Sequence, residues 1–161
     1  MKNSTIQVIC GPGKGKTASA LGRGISALIH GKNVIMVQFL KGSMDSDNME
    51  VLKRLEPEFK LFRFEKSPVV FDQLSEEEKE EARINIRNGL NFSKKVLVTG
   101  ECDILILDEI LGILDEGILT LEELCALMAV SGYRRVCLSD VFARCDEFAG
   151  RSVVGIFTRM V

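Results

Sequence analysis

The chain has 161 residues, 46% of them hydrophobic and 27% charged, which suits one soluble globular domain and excludes a disordered chain. A net charge of −2 and a pI of about 5.6 exclude the electrostatic footprint of a nucleic-acid or acidic-membrane binder. No apolar run reaches membrane-spanning length, and Met1-Lys2-Asn3-Ser4-Thr5 leads into a short strand without a signal-peptide stretch, so a cytoplasmic protein is expected.

Thr5–Cys10 (TIQVIC) reads as a short buried strand, followed by a glycine-rich turn over Gly11–Gly15. Lys16 to His30 reads as a helix ended by Gly31, with His30 placed where an imidazole meets the last carbonyls. Asn33–Leu40 is a second strand, Asn48–Leu55 a short helix stopped by Pro57, and Phe59–Phe64 a third strand by its alternation. Lys66–Leu74 is irregular. Ser75 with Glu78 forms a capping box that opens a long helix reaching about Thr99, before Gly100. Its run Glu76, Glu77 and Glu78 favours the positive helix start and reads as a solvated face.

Asp103–Leu107 is a buried strand ending on Asp108-Glu109, and Leu111–Leu119 is a loop or short helix. Thr120 with Glu123 is a second capping box, opening a helix that ends near Gly132. Arg135–Leu138 is expected as a fifth strand, Val141–Phe148 as a short helix and Val153–Phe157 as a last strand. Strands alternate with helices, and most strands are near-continuous apolar runs. That pattern predicts an α/β fold: one mostly parallel sheet of about six strands with helices on both faces, as a single domain over residues 1–161. The five cysteines (Cys10, Cys102, Cys125, Cys137, Cys145) form no C-x-x-C pair and sit among apolar neighbours, so they read as small buried hydrophobes.

The chemistry concentrates in Gly11-Pro12-Gly13-Lys14-Gly15-Lys16-Thr17, which joins the first strand to the first helix. That is the context of a P-loop, whose glycines let backbone N–H groups face phosphate oxygens at a helix start. Gly11, Gly13, Lys14, Gly15, Lys16, Thr17 and the following Ala18 are the candidate nucleotide-binding set. Lys16 would reach terminal phosphates, and Thr17 would place its hydroxyl on a metal. The first glycine comes one residue late, since Cys10 stands at the usual position, and Lys14 adds a second cation. The second signal is Ile104–Glu109 (ILILDE), an apolar strand that delivers a carboxylate to the carboxyl edge of the sheet. Asp108 would hold the metal, with Glu109 a candidate for the same shell. No residue stands out as a base for water, and neither an arginine finger nor an arginine-rich lid is evident.

Together these residues resemble the P-loop-type ATP:corrinoid adenosyltransferases. The loop ending in GKGKT, the run Val37-Gln38-Phe39-Leu40-Lys41-Gly42, and Asp103–Glu109 followed by Gly117, Leu119 and Glu122-Glu123 are similar to that family's motifs. Glu50 with Leu52 or Leu55 is similar to a further element. The resemblance covers about residues 5–140. It implies transfer of the 5′-deoxyadenosyl group of ATP to the Co(I) of a corrinoid, with Mg²⁺ (or Mn²⁺) as cofactor and triphosphate released. It also implies a recombinase-like P-loop fold, Lys14, Lys16 and Glu109 as catalytic residues, and Thr17, Asp108 and Glu109 as metal ligands. A homodimer and a reductase that supplies Co(I) are implied by the family alone.

The sequence departs from the pattern at Ser26, where an arginine is usual, and at Ser139-Asp140-Val141 in place of Thr-Gly-Arg. The segment Val154–Met160 also differs, and the chain stops at Val161 without the family's further stretch. These changes bear on the corrinoid rather than on ATP. They keep open a degenerate relative that binds MgATP as a regulatory or partner-binding module, with a small-molecule kinase or other NTPase as a third reading.

Overall fold

Apolar strands capped by polar residues assemble into a five-stranded sheet. In the computed structural model, which describes residues 4–9, 15–40, 46–64, 67, 69–130 and 154–159, the strands are β1 (Ser4–Ile9), β2 (Val34–Gln38), β3 (Phe59–Arg63), β4 (Ile104–Asp108) and β5 (Val154–Arg159). They lie in the order β1-β5-β4-β2-β3. β4, β2 and β3 pair in parallel, while β5 runs antiparallel to both β1 and β4. Four strands therefore point the same way and one against them. The expected strand at Arg135–Leu138 and helix at Val141–Phe148 lie outside the described residues, as do Cys10, Gly11, Gly13, Lys14, Lys41, Gly42, Cys137, Ser139, Asp140, Val141 and Cys145.

The helices are α1 (Lys16–Ile29), α2 (Ser46–Lys53), α3 (Glu76–Thr99), α4 (Ile110–Asp115) and α5 (Leu121–Val130). Side-chain alternation along β2 and β4 sends residues to opposite faces and builds two cores. Ile35, Val37, Leu105 and Leu107 pack with Ala82, Ile86, Leu90 and Val96 of α3 and with Ile110, Ile113, Leu124, Leu127 and Met128. Val34, Met36, Ile104 and Ile106 face the other way, against Phe59, Ala20, Leu21 and Leu28. Helices thus cover both faces of the sheet, as the apolar runs predict.

Local signals explain the helix ends. Ser75 Oγ accepts from the Glu78 amide at 3.3 Å and Glu78 Oε2 accepts from the Ser75 amide at 2.8 Å, so both halves of the capping box form. Thr120 and Glu123 exchange the same pair of bonds at the start of α5. His30 Nδ1 lies 2.9 Å from the Ser26 carbonyl at the end of α1. Close packing between α1 and the sheet depends on Gly24, where an added Cβ would lie 2.7 Å from Phe59 Cε2 and 3.2 Å from Ile106 Cδ1.

The uniform reading of the cysteines needs correction. Cys102 is half-buried, and burial pushes its thiol up to about 12, but Cys125 is exposed. Helix α5 is apolar nearly all round, so its sequence gives no clear face. Leu124, Leu127 and Met128, spaced as one helical stripe, turn inward and leave Cys125 outside that stripe.

Candidate active site at the carboxyl edge of the sheet

Three parallel strands end together. Gln38 of β2 stands in register with Arg63 of β3 and with Asp108 of β4, so the last residue of each strand forms one row across the sheet. In-register residues of parallel strands share a face, and this row continues Met36, Leu61 and Ile106 on the α1 side. The start of α1 therefore faces the row.

Gly15 precedes α1 with φ 105°, a left-handed conformation that strains any residue with a Cβ. Its carbonyl accepts the Ser19 amide at 2.8 Å and opens the helix. Lys16 and Thr17 are half-buried and Ala18 is exposed. Thr17 Oγ1 lies 3.2 Å from both Oδ1 and Oδ2 of Asp108, across 91 residues of chain. Asp108 is completely buried. Gln38, itself 4% exposed, donates from Nε2 to Asp108 Oδ2 at 2.9 Å. Arg63 in turn donates from Nε and Nη2 to Gln38 Oε1, at 3.2 and 3.0 Å. A buried carboxylate is costly unless donors meet it, and Asp108 has donors from two elements.

Glu109 follows with φ 64°, the one non-glycine residue at positive φ among those described. This turn lifts the chain out of β4 and starts α4, where the Glu109 carbonyl accepts from the Ile113 amide at 3.3 Å. The Glu109 carboxylate runs along that first turn, with Oε2 3.6 Å from the place a Cβ would take at Gly112. A non-glycine residue held left-handed stores roughly 1–2 kcal/mol of strain, a feature that clusters at functional sites.

Of the residues singled out from sequence, the structure joins Thr17 directly to Asp108 and sets Gly15, Lys16 and Ala18 beside Thr17. Gly11, Gly13 and Lys14 belong to the undescribed stretch. Gln38 stands out in the sequence only as part of the Val37–Gly42 run, and Arg63 carries no motif. The signal that marks both is a polar residue closing an apolar strand, repeated at β2, β3 and β4.

A family model described as ATP:corrinoid adenosyltransferase BtuR/CobO/CobP matches residues 2–137. This chain belongs to that family. It is 31% identical over 135 residues to the corrinoid adenosyltransferase CobA of Salmonella typhimurium strain LT2, a match covering 83% of this chain and 66% of that protein. It is 32% identical over 118 residues to a corrinoid adenosyltransferase of Escherichia coli K12, covering 73% of this chain and 57% of that protein. The matches thus span just under two thirds of the one relative and little over half of the other. Within this adenosyltransferase family member, no helix among the described residues is long and apolar enough to cross a membrane.

Proposed function

We propose that the chain transfers the 5′-deoxyadenosyl group of ATP to the reduced Co(I) of a corrinoid and releases triphosphate. The observation that carries this reading is the Thr17–Asp108 contact of 3.2 Å at the start of α1, in a chain of this family. It joins the end of the phosphate loop to the end of β4, as a P-loop fold of recombinase type requires for a metal-bound triphosphate. The single-domain reading and the sixth strand belong to the same proposal.

The site's donors are a hydroxyl and a carboxylate, hard oxygens that fit Mg²⁺ or Mn²⁺. Thr17 and Asp108 would hold the ion, with Glu109 beside them in the same shell. When bound, the metal supplies charge neutralisation at the phosphates. Lys16 and Lys14 would neutralise further oxygens of the triphosphate leaving group, and backbone N–H groups of the glycine-rich loop would cradle it. The cobalt electron pair forms the new bond to C5′, the C5′–oxygen bond breaks, and its electron pair leaves with the triphosphate. No proton moves, so no base is required of the protein. His30, the chain's only histidine, ends α1 roughly 20 Å from Thr17 at 1.5 Å per residue.

Phosphorus NMR of a reaction with MgATP and a Co(I) corrinoid tests the proposal. Triphosphate should accumulate in step with the adenosylated corrin spectrum. ADP formed in step with turnover would overturn the transfer while sparing the nucleotide site. Bound ATP with no reaction would select the degenerate binding module, the reading that the altered Ser139-Asp140-Val141 favours.

A further inference from the structure

We infer that Arg63 is a positioning residue: acting through Gln38, it holds the Asp108 carboxylate in the orientation that receives a nucleotide-bound metal. The inference rests on the metal-and-nucleotide reading of this site, and adds a residue that acts on Asp108 through Gln38. β3 lies at the margin of the sheet, and Arg63 is its last residue. From there the guanidinium reaches inward to the amide of the neighbouring strand.

The direction of the relay follows from donor and acceptor chemistry. A guanidinium has only donors, so the side of Gln38 facing Arg63 must be Oε1, which takes both Nε and Nη2 on its two lone pairs. Nε2 is thereby turned toward Asp108, whose carboxylate only accepts, and meets Oδ2 at 2.9 Å. Both neighbours of Gln38 agree on one amide orientation. Thr17 reaches the same carboxylate from the opposite element. The plane of Asp108 is thus set from α1 on one side and, through Gln38, from β3 on the other.

Removing the guanidinium leaves Oε1 of a nearly buried amide short of two donors. Gln38 then turns or takes up water, and its grip on Oδ2 loosens. Lysine restores a donor but not the planar fork, so it should restore only part of the effect.

The test uses the full chain and its Arg63→Ala, Arg63→Lys, Gln38→Ala and Arg63→Ala/Gln38→Ala variants. Calorimetric titration with ATP, in Mg²⁺ and in chelator, separates metal-dependent from metal-free affinity. Arg63→Ala should raise the Mg²⁺ concentration needed for half-maximal tight ATP binding about three- to tenfold, the effect of one indirect hydrogen bond. Metal-free affinity should stay unchanged, and Arg63→Lys should lie between. In the Gln38→Ala background the arginine change should add nothing, because its route is already cut. Equal losses with and without metal, additive effects in the double variant, or no change would each overturn the inference. If Arg63→Ala fails to fold, Arg63→Lys and Gln38→Ala decide on the same criteria. A wild-type chain without metal-dependent ATP binding overturns this inference and the proposed function together. A chain that binds MgATP as described yet transfers no adenosyl group removes only the proposed function.

Discussion

Lys16 opens α1 half-buried, one residue before the threonine that meets Asp108. In that position an ammonium against phosphate oxygens makes a charged hydrogen bond of ~1.5–3 kcal/mol. Lys16→Ala should therefore lower ATP affinity on the order of ten- to hundredfold by calorimetry; unchanged affinity in a folded variant would remove Lys16 from the site. Asp108→Asn is a cleaner probe of the metal than the sequence suggests. The amide can turn its oxygen to Gln38 Nε2 and its nitrogen to Thr17 Oγ1, which then accepts instead of donating, so contact with both residues is kept while the charge a hard cation seeks is lost. ATP affinity should fall in Mg²⁺ and hold in chelator, and equal losses would make Asp108 a structural strand end. Thr17 and Asp108 were legible because each closes a local motif of recognisable chemistry. Arg63 was not, because its partner stands 25 residues away and only strand register brings them together.

The ends of α1 and α3 and the start of α5 came through from sequence because their causes lie within four residues, whereas α2, expected at Asn48–Leu55, lies at Ser46–Lys53. Ser75 with Glu78, Thr120 with Glu123, and the left-handed Gly31 and Gly100 all act locally. Packing between elements is less legible, and Gly24 is an instance. In an isolated helix Gly→Ala gains about 1 kcal/mol. Here the new methyl would press on the fully buried Phe59 ring at 2.7 Å, and overpacking of that kind costs roughly 1–3 kcal/mol. Gly24→Ala should lower the unfolding free energy in urea by about 1 kcal/mol; a gain in stability would mean the α1–sheet contact is looser than drawn. Glu116, just after α4, offers a pH-dependent test. Burial first, and then the neighbouring Asp72, hold its carboxyl above the ordinary value of 4.5. An acid whose folded-state pKa is raised binds its proton more tightly folded than unfolded. Its ionisation therefore costs stability as the pH climbs through that interval. Glu116→Gln should raise the thermal midpoint at pH 7, and the advantage should fade below pH 4.5, the ordinary carboxylate value. A variant equally stabilised at pH 3 and pH 7 would point to packing rather than charge.

At the scale of the whole molecule, the sheet ties the two halves of the site together through a strand from the far end of the chain. In sequence the candidate phosphate loop follows β1, and the carboxylate that meets its threonine ends β4. Yet β1 and β4 do not pair; β5 lies between them, with Ile156 opposite Gln7 of β1 and Ile106 of β4. The existence of a last strand was legible in its apolar run. Its direction and its place inside the sheet were not, because pairing over some 150 residues leaves no trace in local spacing. The position of β5 makes a prediction that reaches from the terminus to the nucleotide. Proline at 156 removes a backbone donor from a central strand, where every N–H faces a neighbour. The expected loss is on the order of 3 kcal/mol, a large share of the 5–15 kcal/mol that holds a typical domain. Binding should fail with it. In the wild type, MgATP at a hundred times its dissociation constant should add about 2.7 kcal/mol of stability. In Ile156→Pro that ligand-induced rise in unfolding midpoint should shrink or vanish, since β1 no longer delivers the loop and its Thr17 to Asp108. A variant that loses stability yet keeps the full MgATP shift would show that β1 reaches β4 by another route, and the order β1-β5-β4 would fall.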